Sequence, residues 1–493
     1  MADARTKAPS SFFKRTLQID RLPILGALVL VVTAYFSTGF HHWDEHFQIL
    51  EFAGYKLGIT PAKDLPWEFA ARIRPALQPM IVVLSHHLFG LFGSSDPFAI
   101  TFFLRLLSVA LSFTAIMLML RAFLPEISDE RLRKGFVLLS FFLWFALYNA
   151  VRFSSENWSG DLFVIGFALL MRDRQTVPLR TLVIAGALFG LAFTIRSQVS
   201  LMIFGLLAWL LFIRKVNISK LALLLVSMLI MVGVGIVIDR WFYGEWTLTV
   251  WNYFTENILH GKANAFGTEP WYTYVSEALV RLVPPFSLVF ILAPIILIFM
   301  DRRNALGWVI LPFILVHSMI GHKEIRFLFP MVGLLPVVIV QAIELVRIRW
   351  SPSLLDNRVW RITAKAFVAV YAVFLGVIIF KPADAQISLY KTVYDEYQQP
   401  ITIYNFGEDP YFRVAQFHFY GRPDLRMGGA ITDSTTFNPK ENFLVATMHP
   451  ADVETRWPDR KLIYASLPAW VKHFNFNGWL ERTDQWYVYE VKP

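Results

Sequence analysis

Long apolar runs restrict what this chain can fold into more than any other feature of its sequence. Runs of roughly 17–25 residues, the length of a membrane-spanning helix, recur through the first three quarters of the chain. The chain is 56% hydrophobic and only 17% charged, whereas soluble globular chains carry about 25% charged residues. The sequence therefore predicts an all-α polytopic membrane protein, not the several soluble domains that 493 residues would otherwise suggest.

Charge and cysteine content exclude several functions. The net charge is +9, but the basic residues fall between the apolar runs, as the positive-inside rule describes, and form no patch suited to nucleic acid. The chain has no cysteine, which excludes a disulfide, a thiolate nucleophile and a zinc–thiolate site. We therefore expect the lipid bilayer, and no nucleic acid, as a partner.

The basic turns between the apolar runs predict the topology. Residues 1–21 form a polar, basic tail that we expect in the cytoplasm. No small-residue cleavage site follows, so the first helix is expected to be retained. About eleven spans are expected within a transmembrane domain at 22–381. The predicted spans are 22–40, 98–120, 135–150, 159–171, 180–195, 199–213, 220–239, 284–300, 304–319, 326–346 and 362–380.

A large first external loop is expected at residues 41–97. The apolar run Met80–Phe92 is short and interrupted by polar residues, and the basic residues after the next span would face outside if this run also crossed. Its helices are therefore expected to lie on the membrane surface. A second external loop is expected at 240–283. The join Arg196–Gln198 indicates a helix broken around a functional arginine.

The composition changes at about residue 382, where aromatic, acidic and turn-forming residues replace the apolar runs. Short strand-like runs separated by turns predict a small extracytoplasmic soluble domain, α/β or mostly β, at 382–493. The predicted strands are Gln398–Tyr404, Asn442–Thr447, Lys461–Ala465 and Trp486–Val491.

Two adjacent carboxylates, Asp44 and Glu45, follow the first span within the segment His41–Gln48. Charged groups beside a membrane are costly to desolvate and by default suggest function. A carboxylate here suits a general base that takes a proton from an acceptor hydroxyl. Two alternatives stay open at this point: an ordinary solvated loop, and a divalent-metal site formed with the neighbouring histidines.

The segment Gly321–Phe327 places His322, Lys323 and Arg326 between two strong spans. Arginine grips a phosphate with its planar fork and lysine supplies a point charge, so this segment suits a phosphate group. The alternative is that it anchors a helix end at the interface. A basic turn on the outer side runs against the usual charge bias, which favours the phosphate site.

Aromatic residues, glycines and amides in the loop 240–283 suit sugar binding, and they also suit a simple aromatic belt at the membrane interface. Arg152 and Glu156 are interpreted as an ion pair that holds helix ends.

These segments together resemble the Alg9-like mannosyltransferases, glycosyltransferase family 22. His42–Gln48 resembles the family's His-x-Asp-Glu motif, with Trp43 where the family often has proline. Phe266–Tyr274 resembles its Gly-Thr-x-Pro-Trp-x-x-Tyr segment, and His322–Phe327 resembles its His-Lys-Glu-x-Arg-Phe motif. Arg196–Gln198 and Asp239–Gly244 are supporting matches, and Arg72–Pro79 resembles a further family region loosely.

The resemblance implies a GT-C fold, in which a multi-helix membrane body has a large first external loop with a catalytic acidic residue. The donor would be a polyprenyl- or dolichyl-phosphate sugar, most often mannose. The acceptor would be a lipid-linked or cell-envelope glycan. Transfer would be inverting, and we expect neither a cofactor nor a metal.

Roles for individual residues follow from the motifs. Asp44 is expected to be the base and Glu45 to orient a donor hydroxyl or the base. The donor phosphate is expected to meet His322, Lys323, Arg326 and Arg196. Sugar or acceptor contacts are expected from His42, Gln48, Lys262, Trp271 and Tyr272.

Two other classes of function remain open. A transporter or flippase of lipid-linked sugars would share the lipid groove and basic residues, although such proteins often have internal repeats, and none is visible here. A non-catalytic assembly subunit would not need Asp44. The expected location is a bacterial cytoplasmic membrane with the active site facing outside, the alternative being the endoplasmic reticulum membrane.

Overall fold

The computed structural model describes residues 21–172, 177–422, 424–437, 441–475 and 478–492. The expected cytoplasmic tail, apart from Arg21, lies outside these residues. The chain divides into two compact units. The helical unit comprises the described residues up to Ala34, then Arg72–Leu77 and Arg105–Phe380. The α/β unit comprises Tyr35–Ala71, Gln78–Leu104 and Lys381–Pro493.

The helical unit consists of apolar helices joined by short turns. Its α-helices, some of which begin or end in the other unit, are Arg21–Phe36, Pro97–Phe123, Glu130–Phe142, Trp144–Ala150, Ser155–Arg172, Leu179–Ile195, Ser200–Phe212, Ile218–Tyr243, Thr249–Phe254, Thr273–Arg281, Ser287–Met300, Ala305–Met319, Leu335–Arg349 and Arg358–Phe380. Between them lie the 3-10 helices Leu124–Glu126, Ser197–Val199, Lys262–Phe266, Ile325–Leu334 and Leu354–Asp356, and the π-helix Thr255–Leu259.

Within the described residues, four helices are long and apolar enough to cross a membrane: Pro97–Glu126, Ile218–Tyr243, Ile325–Arg349 and Arg358–Phe380. Five shorter apolar helices accompany them, at Arg21–Phe36, Leu179–Ile195, Ser197–Phe212, Ser287–Met300 and Ala305–Met319. The protein is a multi-pass integral membrane protein. Each span expected from the sequence falls on a helix or a pair of consecutive helices, and the number that cross the bilayer stays a prediction.

Polar residues at helix ends explain where several helices begin and stop. The side chain of Asn217 accepts the backbone N–H of Ser219 at 2.9 Å and caps the helix Ile218–Tyr243. Gly244 ends the same helix in the left-handed conformation, with φ of 80°, which glycine adopts without steric cost. Asn304 caps Ala305–Met319 in the same way, with its side chain accepting the N–H of Leu306 at 3.0 Å.

The α/β unit contains a five-stranded mixed sheet. Its strands are β1 (Ile401–Phe406), β2 (Leu425–Ala430), β3 (Phe443–Thr447), β4 (Lys461–Ala465) and β5 (Tyr487–Val491). The strand order is β2-β1-β3-β5-β4, with β1 parallel to β2 and β3, and β5 antiparallel to β3 and β4. Its core is formed by Phe443, Val445, Val453, Tyr487, Tyr489 and Val491.

Helices complete the α/β unit. These are Trp43–Glu45, Phe52–Lys56, Trp67–Ala71, Leu77–Gly90, Ala385–Glu396 and Pro450–Arg456, with the π-helix His46–Glu51 and the 3-10 helices Ala62–Asp64, Ala469–Phe474 and Leu480–Arg482. The carbonyl of Thr38 accepts the N–H groups of Ala383 and Asp384 at 2.9 and 3.2 Å. Residues just after the first helix are therefore bonded to residues where the C-terminal segment begins.

Candidate active site

The two candidate catalytic carboxylates lie on a short helix, Trp43–Glu45, in the α/β unit. His42 caps this helix, because its Nδ1 accepts the backbone N–H of Asp44 at 3.2 Å. Asp44 is partly buried, with 18% of its side chain exposed, and Glu45 is also partly buried. Asp44 is therefore fixed at a helix N-terminus, where the backbone N–H groups favour a negative charge.

The expected acceptor-binding residues of this segment already have partners. Nδ1 of His42 serves the helix cap, so its assigned sugar contact would have to come from the rest of the ring. Gln48 donates from Nε2 to Oε1 of Glu68 at 3.2 Å. Both residues lie beside the carboxylates in the same unit, and their sugar contacts stay a prediction.

A second cluster lies in the helical unit, where the helix Ala305–Met319 ends and the 3-10 helix Ile325–Leu334 begins. Glu324 is its centre. One oxygen, Oε1, lies 3.0 Å from Nε2 of His322 and 3.1 Å from Nη2 of Arg326, while Oε2 accepts from Nε of Arg326. Two parallel N–H groups of Arg326 therefore meet one carboxylate, the geometry in which arginine binds planar anions most strongly.

Arg196 joins this cluster through Glu156. Oε1 of Glu156 lies 2.9 Å from Nη1 of Arg196 and 3.4 Å from Nη1 of Arg326. The two guanidinium carbons also lie 5.6 and 5.5 Å from the ring centre of Phe327. The side chains of both arginines are only 9% exposed, so bulk water contributes little to their solvation.

The local backbone explains how the two arginines meet. The helix Leu179–Ile195 stops at Arg196, whose extended φ and ψ of −150° and 106° break the helix before the 3-10 turn Ser197–Val199. This break is the one expected from the sequence. On the other side, Gly160 lets the helix that carries Glu156 approach Pro330 closely, since a Cβ at Gly160 would lie 2.6 Å from the Pro330 carbonyl oxygen.

Lys323 is buried and its ammonium group contacts backbone carbonyls. Its Nζ lies 2.8 Å from the carbonyl oxygen of Glu269, 2.5 Å from that of Ile320 and 3.4 Å from that of Gly321. An ammonium has three donors, and these three contacts can use all of them. A direct bond from Lys323 to a phosphate, as expected from the sequence, would require one of these carbonyl contacts to be exchanged.

The structure brings two of the sequence motifs together. The N–H of Glu269 bonds to the carbonyl of Gly321 at 2.9 Å, and Nδ1 of His322 lies 3.3 Å from the carbonyl of Gly267. The loop that follows exposes Trp271 and Tyr272, which are 71% and 52% exposed. Such aromatic faces are available to a sugar or to lipid head groups.

Lys262 lies in the same loop region, and its Nζ is 2.6 Å from Oε2 of Glu256. This hydrogen bond is the largest cause of a lowered pKa of the Glu256 carboxyl. Lys262 is exposed and Glu256 is partly buried, so a sugar contact from Lys262 would replace an interaction near the protein surface.

Two supporting features of the sequence meet around Asp239. Its Oδ1 accepts the backbone N–H of Ala76 at 2.7 Å and its Oδ2 accepts the hydroxyl of Thr249 at 2.9 Å. The hydroxyl of Tyr243 donates to the carbonyl of Arg74 at 2.7 Å. Within the helical unit, these two side chains therefore hold the segment Arg72–Leu77 against the end of the helix Ile218–Tyr243.

Glu156 and Glu324 are the two carboxylates of this cluster, and neither is among the site residues expected from the sequence. The sequence indicates an ion pair of Glu156 with Arg152 at a helix end, and in the structure Glu156 also bridges Arg196 and Arg326. The available signal is an acidic residue in the first turn of a helix, Ser155–Arg172, whose second half is almost entirely apolar. The divalent-metal alternative has no counterpart in the described ranges, where no group of three or more His, Asp and Glu side chains is placed to hold a metal ion.

The fold is that of GT-C membrane glycosyltransferases. The crystal structure of ArnT from Cupriavidus metallidurans bound to undecaprenyl phosphate aligns with 96% of this chain and 98% of its own, with a TM-score of 0.53 and 13% identity. The apo structure of the same protein aligns with a TM-score of 0.51 and 12% identity. At such identities the likeness concerns the fold alone.

The sequence places the chain more narrowly. The family model of the Alg9-like mannosyltransferases matches residues 23–406, a range that contains every residue assigned above to the candidate site. The chain belongs to the Alg9-like mannosyltransferase family, as the three motifs predicted.

Several curated proteins are similar to this chain. GPI mannosyltransferase 3 of Trypanosoma brucei brucei is 30% identical over 335 residues, which cover 58% of each chain. Human GPI alpha-1,2-mannosyltransferase 3 is 25% identical over 68% of this chain and 57% of its own. A probable Dol-P-Man:Man(7)GlcNAc(2)-PP-Dol alpha-1,6-mannosyltransferase of Schizosaccharomyces pombe is 33% identical over 33% of this chain and 28% of its own.

The chain thus matches less than two thirds of the length of these relatives. All three come from eukaryotes, so they give no support to the bacterial cytoplasmic membrane expected from the sequence.

Proposed function

We propose that this protein is an inverting mannosyltransferase that takes mannose from a polyprenyl- or dolichyl-phosphate donor. The acceptor is a lipid-linked glycan, and transfer takes place on the extracytoplasmic side of the membrane. Membership of a mannosyltransferase family supports the sugar. A relative named for Dol-P-Man and a fold neighbour bound to undecaprenyl phosphate support the lipid-phosphate donor.

The main support for this proposal is that two buried guanidinium groups, of Arg196 and Arg326, share the carboxylate of Glu156. Lys323, Arg196 and Arg326 outnumber the two carboxylates Glu156 and Glu324, so these described side chains together carry net positive charge. Buried charge of one sign is costly unless an ion of the opposite sign is bound. A phosphodiester carries one negative charge and has two non-bridging oxygens that accept hydrogen bonds from arginine.

The same positive charge would assist the chemical step. As the bond between the anomeric carbon and the phosphate oxygen breaks, negative charge grows on the leaving lipid phosphate. Fixed cations in a site with little water stabilise such a developing charge strongly. Arg326 is held by Glu324 and Glu156, and Arg196 by Glu156, so neither guanidinium has to reorganise far during the reaction.

Asp44 is proposed as the general base. Its carboxylate takes the proton of an acceptor hydroxyl while the hydroxyl oxygen attacks the anomeric carbon from the face opposite the phosphate. The new glycosidic bond therefore has inverted configuration. Glu45 orients a donor hydroxyl or the base, and the remaining contacts to sugar or acceptor come from His42, Gln48, Lys262, Trp271 and Tyr272.

The test is transfer by the purified protein in detergent, with a short-chain polyprenyl-phosphate-mannose and a panel of mannose-terminated glycolipids as acceptors. We expect wild type to form product and Asp44→Asn to lower kcat by about 10²-fold or more. Asp96→Asn is the matched control. Asp96 is a partly exposed carboxylate of the same unit that accepts the N–H of Phe98 at 2.8 Å, a bond that asparagine retains.

Full activity of Asp44→Asn would remove Asp44 from the mechanism. Absence of transfer from every lipid-linked donor, together with movement of the same donor across proteoliposome membranes, would favour the transporter class instead.

A further inference from the structure

Glu51 is a buried carboxylate of the α/β unit and is not among the catalytic or binding residues proposed above. We propose that Glu51 is a positioning residue that holds the segment bearing Asp44 and Glu45 against the backbone of His418 and Phe419. This inference rests on the proposed function, because it gives Glu51 its effect through Asp44.

Glu51 is wholly buried and accepts hydrogen bonds from two distant parts of the chain. Its Oε1 accepts the backbone N–H groups of His418 and Phe419 at 2.9 and 3.0 Å. The same oxygen lies 2.7 Å from Nε2 of His46, and Oε2 accepts the hydroxyl of Thr60 at 2.6 Å. All five residues belong to the α/β unit. We call this set, Glu51 with His46, Thr60, His418 and Phe419, the Glu51 clamp.

A change of helical winding brings His46 and Glu51 together. In an α-helix, residues five apart point about 140° away from each other. The segment His46–Glu51 is a π-helix, whose hydrogen bonds run between residues five apart and bring such side chains closer to one face. This π-helix begins directly after Glu45. The clamp therefore stabilises the winding that sets the direction of the two candidate catalytic carboxylates.

Aromatic rings fix the other end of the clamp. The ring of His46 lies 4.6 Å from that of Phe417 and 5.5 Å from that of Tyr420, and it also contacts Phe40 and Phe47. His46 is wholly buried among them. Because His46 immediately follows Glu45, a movement of Phe417–Tyr420 that shifts His46 would also shift the two carboxylates.

The charge of Glu51 is maintained despite its burial. Burial alone would raise the pKa of this carboxyl, but the hydrogen bond and charge of His46, with the bonds from Thr60 and Phe419, outweigh it and lower the pKa. An ionised Glu51 can only accept hydrogen bonds. It therefore suits a junction where two backbone N–H groups, a hydroxyl and an imidazole all point at one side chain.

The partners of Glu51 extend the site beyond the family's matched range. The family model ends at residue 406, whereas His418 and Phe419 follow it. The C-terminal segment of this chain therefore contributes to the reaction, because its backbone at His418 and Phe419 holds the segment that carries the two carboxylates.

The experiment compares Glu51→Ala and Glu51→Gln with wild type, by transfer kinetics and by hydrogen exchange. Alanine removes every bond of the clamp. Glutamine keeps one oxygen for the two N–H groups and His46, and its amide can donate to the Thr60 hydroxyl. We expect Glu51→Ala to lower kcat on the order of 10²-fold with little change in the donor KM, since misplaced reacting groups have effects of that size. Glu51→Gln should retain most of the activity.

Hydrogen exchange tests the clamp without any substrate. In Glu51→Ala, the amides of His418 and Phe419 lose their acceptor and should exchange faster, whereas Glu51→Gln should protect them. Glu344→Ala is the matched control. Glu344 is also a buried carboxylate, which accepts the N–H of Ser128 at 2.6 Å, but it belongs to the helical unit. Glu344→Ala should therefore not show a lower kcat at an unchanged donor KM.

The outcomes separate the two proposals. If wild type transfers no mannose while exchange at His418 and Phe419 responds to Glu51→Ala, the proposed function fails and the clamp stands as structure only. If wild type is active and Glu51→Ala leaves kcat unchanged, or lowers it no more than Glu344→Ala does, the positioning role is overturned. Unchanged exchange in Glu51→Ala would overturn the clamp itself.

Discussion

At the residue scale, one carboxylate oxygen of Glu156 serves two arginines, Arg196 and Arg326, that would otherwise repel each other in a buried place. A buried ion pair adds little net stability compared with apolar packing, but removal of one partner leaves an uncompensated charge. Glu156 therefore has a structural role in the absence of donor. It also keeps both guanidinium groups ready for an anion.

Glu156→Ala should lower the free energy of unfolding by about 3–5 kcal/mol, because two buried arginines lose their shared counter-ion. The measurement is the thermal unfolding midpoint in a fixed detergent. Glu277→Ala is the control, since Glu277 pairs with Arg281 on the exposed face of a helix and such pairs contribute less than about 1 kcal/mol. Equal losses in the two variants would contradict this account.

The Glu51 carboxyl gives a pH dependence with a defined sign. Its pKa in the folded protein is lowered, against burial, by His46, Thr60 and Phe419. A carboxyl whose pKa is lower in the folded protein stabilises the fold at pH values above its unfolded pKa of about 4.3. This stabilisation is lost as the pH falls through the pKa of the folded protein. Wild type should therefore lose stability below about pH 4.3, and Glu51→Gln should show a smaller loss over the same range. Thermal unfolding between about pH 3 and pH 6 measures the difference, and parallel curves would refute the assignment.

The sequence predicted the basic members of the cluster but not the carboxylate that joins them. His322, Lys323 and Arg326 stand in one short motif, so their common chemistry is visible locally. Glu156 is 170 residues away from Arg326. Only the packing of two helices brings them together, and periodicity within one helix contains no information about its neighbour.

At the element scale, the apolar runs predicted the helices well, because length and hydropathy are local properties. The strands β1, β3, β4 and β5 were also expected, within a few residues of their ends. The strand β2, Leu425–Ala430, was missed. Its sequence contains Gly428 and Gly429, and glycine has low β-propensity, so only pairing with β1 makes this segment a strand.

Gly160 tests the contact between the helix Ser155–Arg172 and the segment at Pro330. A Cβ at this position would lie 2.6 Å from a backbone oxygen and 2.7 Å from the Cα of Pro330, so the two backbones must separate. Gly160→Ala should lower the unfolding free energy by about 1–3 kcal/mol, as overpacking does, and should weaken donor binding through the displaced Glu156.

Gly135→Ala and Gly233→Ala are controls for Gly160→Ala. Both glycines lie in helices, and a Cβ at either would meet nothing within 4 Å. Alanine is the better helix former by about 1 kcal/mol, so these variants should be neutral or more stable. Thermal unfolding of the three variants measures their stability, and donor titration measures their donor binding. A Gly160→Ala variant as stable as the controls would mean that the close approach is not required.

At the scale of the whole molecule, the sequence predicted a first external loop and a C-terminal domain as separate parts. In the structure the C-terminal segment and the first loop, apart from Arg72–Leu77, belong to one compact unit, the α/β unit. Local patterns could not reveal this, because the bonds that join them connect Thr38 with Ala383 and Glu51 with His418, residues separated by most of the chain. Composition divides the chain where hydropathy changes. These long-range hydrogen bonds instead determine which residues form one compact unit.

Removal of the C-terminal segment should therefore unfold part of the first loop. A chain that ends at Phe380 lacks the N–H groups of residues 383 and 384, which donate to the carbonyl of Thr38. It also lacks the N–H groups of residues 418 and 419, so the buried carboxylate of Glu51 loses two of its hydrogen-bond donors. An unsatisfied buried charge is costly, so the segment Trp43–Lys56 should open to solvent. We expect its amides to exchange faster in the truncated protein, while those of the helix Leu179–Ile195, in the helical unit, keep their protection. If the amides of Trp43–Lys56 stay protected, the first loop folds by itself, and the C-terminal segment has no part in holding Asp44 in place.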